Sequence, residues 1–297
     1  MTIITSPSSI LSFVLPVILL FVASPPLAGQ ADRQSKQTPA PLLTRTTPRH
    51  ENFRFAYGGT VTIVGAPAGS ITVEGWQRNE VDLSAEIELH AGSAQDLDRL
   101  AAVNTFIADE DTNHIRILTS GTHDRKLMKS LGNKFPKALI GLPWKIDYHI
   151  KVPALTDLEI TAGNGPISLA GVEGTIQLSA LESIADLTLS GGLVSATVQS
   201  GKVNIIVPTR AWHGLGAEVR LASGELNVGL PPGFNGDIDA AVLRNGEIKN
   251  SFPGFAPREN NSIGPHVLRA RAGGGGATLT FTLGDGVIQI QQTPAKQ

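Results

Sequence analysis

Residues 174–207, GTIQLSALESIADLTLSGGLVSATVQSGKVNIIV, contain three copies of one short phrase: Gly174-Thr-Ile176-Gln-Leu178, Gly192-Leu-Val194-Ser-Ala196 and Gly201-Lys-Val203-Asn-Ile205. Each copy is a glycine followed by alternating polar and apolar residues. The alternation puts every second side chain on one face of a strand, and the glycine turns the chain without steric cost. The phrase recurs at Gly59, Gly69, Gly165, Gly224 and Gly286, with a weaker copy at Gly246-Glu-Ile248. Gly192 and Gly201 stand nine residues apart, while Gly201, Gly224 and Gly246 are separated by twenty-three and twenty-two. Two strand-plus-turn units would make one coil of about twenty residues, a size suited to stacked β repeats. The expected fold is all-β, a β-solenoid or β-helix-like repeat of short strands.

Outside the repeat, two segments break the period of two. Ser93 and Asp96 form a capping-box-like start to residues 93–103, where apolar spacing near 3.6 predicts one short helix. Residues 122–145 gather Arg125, Lys126, Lys129, Lys134, Lys137 and Lys145 with Leu127, Met128, Leu131, Phe135, Leu139, Ile140 and Trp144. This basic insert suits either contact with an anionic membrane surface or a cap over one end of the core, and it interrupts the repeat. Pro153, Pro208 and Pro231-Pro232 end strands at rung boundaries. Gly273 to Gly276 introduce a last pair of strands expected to close the C-terminal end.

The first thirty-one residues carry no charge, and Ile10 to Ala23 (ILSFVLPVILLFVA) form an apolar run too short for an ordinary membrane span of about 20 residues. It suits the core of a signal peptide (residues 1–31), with Gly29 and Ala31 as small residues at the cleavage site. No Lys or Arg precedes the run, so an N-terminal membrane anchor is the alternative. Residues 32–52 are polar and Pro-rich and read as a flexible tether, residues 53–291 as the repeat domain, and residues 292–297 as a disordered tail.

Composition narrows the partners. The chain has 24 basic and 26 acidic residues, which leaves no electrostatic footprint for nucleic acid. It has no cysteine, so neither a disulfide framework nor a lipidated cysteine is available. The seven histidines never fall at H-x-x-x-H spacing, and Asp109-Glu110-Asp111 lacks the remaining ligands of a calcium loop, so no metal or other cofactor is expected. Neither a G-x-S-x-G nor a phosphate-binding loop occurs. Asp237 with Asp239, or Glu173, Glu182 and Asp186, could meet on neighbouring rungs as in carbohydrate-active β-helices, but nothing in the sequence selects a pair.

Three features together resemble the bacterial putative-adhesin family, a β-strand-repeat domain of unknown function in exported and membrane-anchored proteins. They are Gly69-Ser-Ile71-Thr-Val73-Glu-Gly75-Trp76, the strand Tyr148-His-Ile150-Lys-Val152-Pro153 followed by Leu158-Glu-Ile160, and the Gly-x-Ile ladder that ends at Gly286-Val-Ile288. The resemblance covers residues 53–291 and implies a repetitive β fold, a location in the envelope and binding through a surface. It supplies no catalytic motif.

The function that follows is a non-enzymatic envelope or surface scaffold acting through an extended β face, exported to the periplasm, cell surface or medium. The alternatives are a carbohydrate-active β-helix enzyme and a membrane-anchored accessory or signalling domain. Outward positions such as Thr72, Ser168, Gln177, Asn204, Asn227 and Gln289 would present regular polar rows to a cell-surface glycan or envelope protein. Trp144, Trp212 and His213 are candidates for stacking on a sugar, with Trp212-His213-Gly214 expected in an exposed loop and Trp76 in the core. Lys126, Lys129 and Lys134 are candidates for an anionic surface. Expressed in a bacterial host, the mature chain should begin near Asp32 by N-terminal sequencing, whereas retention of the apolar run would show an anchor.

Overall fold

The computed structural model describes residues 41–259 and 263–294. In chain order its elements are β1 (Leu43–Arg54), β2 (Thr60–Val64), β3 (Ile71–Trp76), β4 (Glu80–Ala91), α1 (Ala94–Ala101), β5 (Thr105–Asp111), β6 (His114–Ser120), α2 (Arg125–Leu131), β7 (Trp144–Pro153), β8 (Asp157–Asn164), β9 (Ile167–Ala170), β10 (Thr175–Thr188), β11 (Gly191–Ile206), β12 (His213–Leu230), β13 (Gly236–Val242), β14 (Gly246–Asn250), β15 (Phe255–Pro257), β16 (Val267–Ala272) and β17 (Thr278–Gln292). The protein is all-β, with two short helices as accessories.

The strands lie side by side in two columns. In the first, β6, β2, β8, the first half of β10, then β11, β12, β17 and β13 follow one another in parallel. Antiparallel β5 flanks it at one end, and β16 with β15 at the other. In the second column β7, β3, β9, the second half of β10, then β11, β12, β17 and β14 are parallel, and antiparallel β4 and β1 flank the β7 end. The strands are longer than the repeat phrase suggests. β10, β11, β12 and β17 each contribute to both columns, because two alternating segments run on through a bend between them.

Burial follows the alternation. On β11, Val194, Ala196, Val203 and Ile205 are buried, and their neighbours Ile176, Leu178, Ala185 and Leu187 on β10 and Val219, Leu226 and Val228 on β12 belong to the same core. Each fully buried aliphatic side chain contributes about 1.5–3 kcal/mol relative to exposure. A single rung has both its strand edges open, so it reaches this burial only when stacked.

Register is held at the bends by glycine. Gly201 pairs with Ser183 on one side and Gly224 on the other, Gly224 pairs with Gly286, and Gly286 with Gly246. These glycines have φ between 124° and 138°. A Cβ on Gly224 would overlap the Gly201 carbonyl oxygen, and one on Gly286 would overlap that of Gly224. The conformation and the close backbone approach each exclude a side chain.

Stacking order departs from chain order at two places. β2 and β3 stack on β8 and β9 although residues 77–156 intervene in the chain, and β6 and β7 from that segment extend the columns beyond β2 and β3. The basic insert, expected to interrupt the repeat, is the connection between β6 in the first column and β7 in the second. At the other end, the Gly246 phrase does not follow the Gly224 phrase directly. β17, expected to close the C-terminal end, lies between β12 on one side and β13 with β14 on the other.

Three further expectations are corrected or extended. Residues 43–52, assigned to the tether, are part of β1, which pairs along its whole length with β4 from Leu43↔Ala91 to Arg54↔Glu80. Pro48 and the charges of Arg45, Arg49 and Arg54 blunt the outer edge of that strand. A second helix, α2, occupies the basic insert, with Asp124 capping the backbone N–H groups of Lys126 and Leu127. Helix α1 starts at the expected N-cap, where Ser93 Oγ accepts from the Asp96 N–H at 3.1 Å, and it buries Leu97 and Leu100. Gln292, expected in the tail, ends β17, while the signal peptide, residues 32–40 of the tether and residues 295–297 of the tail lie outside the described residues.

Gly224→Ala should lower stability by at least about 2 kcal/mol, since strained backbone and a carbonyl overlap coincide there. Gly92→Ala, at a site with open space and ordinary φ, should stay within about 0.5 kcal/mol. Urea unfolding midpoints of the two variants check the contrast.

Candidate binding face

Inward aliphatics leave the intervening residues pointing out, and parallel register aligns them. In the second column Ser168, Asp186, Asn204, Asn227, Gln289 and Lys249 occupy successive strands at matching positions. Neighbouring strands are about 4.8 Å apart, so the row presents a polar group at that interval. Asn227 Nδ2 donates to Asn204 Oδ1 at 2.9 Å, and Asn204 Nδ2 donates to Asp186 Oδ1 at 2.7 Å. These two bonds orient Asp186, Asn204 and Asn227 relative to one another. Beside it, Glu225 accepts from Gln289 Nε2 at 3.1 Å and pairs with Lys202 Nζ at 3.1 Å. These residues line a shallow groove of about 500 Å³.

The first column has its own polar face. Glu159, Thr161, Gln177, Ser179, Ser195 and Thr197 line an open hollow of about 530 Å³. A larger hollow of about 600 Å³ lies over β1, β4, β7 and β3. Its carboxylate Asp147 is already engaged: it accepts from the Ser70 N–H at 2.7 Å, Ser70 Oγ at 2.8 Å and Lys145 Nζ at 2.9 Å. Burial opposes the charge there, but Lys145 and Ser70 outweigh it and hold the carboxyl below its ordinary range.

The residues singled out in the sequence are scattered. Trp212 is 7% exposed and its indole N–H donates to the Gly192 carbonyl at 3.0 Å, so it serves as a core anchor and not as an exposed stacking platform. His213 opens β12 and is exposed, with Nδ1 3.8 Å from Glu173. Trp144 is half-buried at the start of β7, its ring 5.4 Å from that of His123. Trp76 is also half-buried and lies under Arg78 at 5.0 Å and Lys151 at 5.8 Å, outside the core where it was expected. Lys126, Lys129 and Lys134 are exposed, while Leu127, Met128, Leu131, Phe135 and Leu139 of the same insert pack on the core. The apolar side of the insert is thus used internally, with Ile140 left 47% exposed.

Of the carboxylates considered for chemistry, Asp237, Asp239, Glu173 and Asp186 are held in ion pairs or hydrogen bonds, while Glu182 is exposed. Asp237 accepts from Arg271 Nε at 2.8 Å and Nη2 at 3.1 Å, and Asp239 from Arg258 at 2.8 Å. Hydrogen bonding to Arg271 keeps Asp237 below its usual pKa, whereas a general acid needs the opposite shift. Glu173 accepts from Ser190 at 2.5 Å, and Asp109 pairs with Arg116. Among the described residues there is no cluster of three or more potential metal ligands, and no helix is long and apolar enough to cross a membrane. The asparagine relay was accessible in the sequence only as two polar residues, Asn204 and Asn227, at the same offset after Gly201 and Gly224.

No family model matches the chain, and no curated protein matches it in sequence. Solved structures similar to it include a putative cell adhesion protein from Clostridium sporogenes, at 14% identity and a TM-score of 0.42, covering 83% of this chain and all of that one. A putative adhesin from Bacteroides fragilis aligns at 11% identity and a TM-score of 0.33, over 83% of this chain and 97% of its own. A putative lipid binding protein from Parabacteroides distasonis aligns at 11% identity and 0.28, over 84% and 97%.

Because Asp237 has its folded pKa lowered, the stability it contributes is present above the unfolded value of about 3.9 and is lost as pH falls through the folded value. The gap in urea midpoint between the protein and Asp237→Asn should therefore be widest above pH ~4 and close on further acidification. A gap that is constant with pH would contradict the pairing.

Proposed function

We propose that the two-column stack is a β-solenoid of the adhesin-like kind, and that the chain is an exported, non-enzymatic envelope protein holding a surface glycan along its second column. The observation that carries this is the row Asp186–Asn204–Asn227–Gln289, which repeats at the strand interval with Asp186, Asn204 and Asn227 oriented by one another and Gln289 held by Glu225. A sugar chain offers hydroxyls that both donate and accept. Amides and carboxylates fixed in a row meet such hydroxyls without first losing much side-chain entropy. The shallowness of the groove suits an extended polymer, whereas a small substrate is usually enclosed over most of its surface. The repeat pattern of residues 53–291 and the parallel register support the family assignment.

A second proposal draws on residues 123–145. Lys126, Lys129 and Lys134 are exposed with no carboxylate partner among the described residues, which suits peripheral contact with an anionic membrane surface. With the insert's apolar side committed to the core, such contact would be electrostatic and would fall steeply with salt.

Passed over a panel of immobilised polysaccharides, the protein should be retained by at least one and release no shortened product. Asn204→Ala with Asn227→Ala should weaken retention about tenfold, as expected for two lost hydrogen bonds. Turnover of a panel member would contradict the non-enzymatic proposal, and unchanged binding by the double variant would remove the second column from it.

A further inference from the structure

Three strands end at one corner of the second column, and each ends in proline. β11 runs out through Val207 to Pro208, β12 through Leu230 to Pro231 and Pro232, and β17 through Thr293 to Pro294. Register aligns the ends, since Leu230 pairs with Gln292 and the Thr293 N–H donates to the Leu230 carbonyl at 2.8 Å. The prolines, with Ile206 at 45% exposure, wall a pocket of about 470 Å³. The same Ile206, Thr293 and Pro294 also line the groove of the asparagine row, so pocket and groove adjoin across these residues.

One charged side chain lines this apolar pocket, Arg210. Most arginines among the described residues have carboxylate partners, as Arg244 has Asp285 and Arg271 has Asp237. Arg54, Arg125 and Arg210 have none there, and of these Arg210 lines a cavity. Its backbone is fixed on both sides. The Asn235 N–H donates to the Arg210 carbonyl at 2.6 Å, Thr209 Oγ1 donates to the Ala211 carbonyl at 2.8 Å, and buried Trp212 anchors the end of the loop. A guanidinium on a braced loop, beside proline and isoleucine walls and with no carboxylate partner among the described residues, is suited to a planar carboxylate bound through two N–H groups.

We propose that this corner binds the carboxylate of an acidic sugar, so that the glycan held by the second column is a polyanion bearing uronate or sialate units. This rests on the glycan-binding function proposed above and adds the ligand's charge. Arg210 takes the carboxylate, Ile206 and the prolines cover the C–H face of the same ring, and the rest of the chain runs along Asn204, Asn227 and Gln289. The chain's net charge of -2 gives little general attraction to polyanions, so the preference is local to Arg210.

Calorimetric titration with oligogalacturonate, oligoalginate and oligosialate, each beside its carboxyl-reduced form, tests it. At least one acidic form should bind about tenfold or more tightly than its reduced counterpart, and Arg210→Gln should abolish that difference. Equal affinity for acidic and reduced forms, or a preference that survives Arg210→Gln, overturns the proposal while glycan binding stands. Absence of binding to every oligosaccharide overturns this proposal alone where a member of the polysaccharide panel still retains the protein, and overturns both where none does.

Discussion

Direct backbone-to-backbone contact at the bends, where glycine stacks on glycine, is the constraint on which the structure depends. Gly201, Gly224, Gly286 and Gly246 approach one another too closely for any Cβ, and all have φ values that L side chains avoid. The contact does two things. It lets one continuous strand leave the first column and enter the second, and it fixes the register of both columns together. A one-residue slip would turn every aliphatic outward and every polar residue in. The buried rows and the polar face are therefore two consequences of one alignment.

The same alignment admits a strand distant in sequence. β17 has the glycine phrase at Gly286 and places it between Gly224 and Gly246, sixty-two residues from the first and forty from the second. Until β17 arrives, β13 and β14 have no parallel partner in the stack. The final strand thus completes the ladder from within, a long-range closure that makes assembly depend on contacts of large sequence separation. It also places Gln289 beside Asn227 and Thr293 beside Leu230, so the polar row and the proline corner both require it.

Much of this was legible in the sequence, and the physical reason is the strictness of a period of two. Val203-Asn-Ile205 and Leu226-Asn-Val228 give strand, inward face and outward face directly. The N-cap at Ser93 gave α1 by the same kind of local rule. Stacking order was not legible, because a glycine phrase specifies how a strand packs and not which copy it packs on. Gly246 and Gly286 are equally acceptable neighbours for Gly224 by pattern alone. β1 was missed because its outward charges and Pro48 imitate a tether, and a strand at the end of a stack needs few apolar residues. Trp212 was read as exposed because it follows a polar, proline-containing turn, yet its indole N–H meets a corner carbonyl that only the fold brings near. Arg210 is not distinguishable in the sequence, since an arginine without a partner looks there like any other arginine.

The position of β17 is the central claim, and the absence of cysteine permits a background-free test. Cysteines introduced at Asn227 and Gln289 fall on directly paired strands, about 4.8 Å apart, within the span of a disulfide. Cysteines at Asn227 and Lys249 fall two strands apart, about 9.6 Å, beyond it. Under mild oxidation, with cross-linking read as an altered mass or gel mobility, the first pair should close nearly completely and the second should not. Closure of the Asn227–Lys249 pair in preference to the Asn227–Gln289 pair would mean that the repeats stack in chain order, and would contradict the continuous face described for the second column.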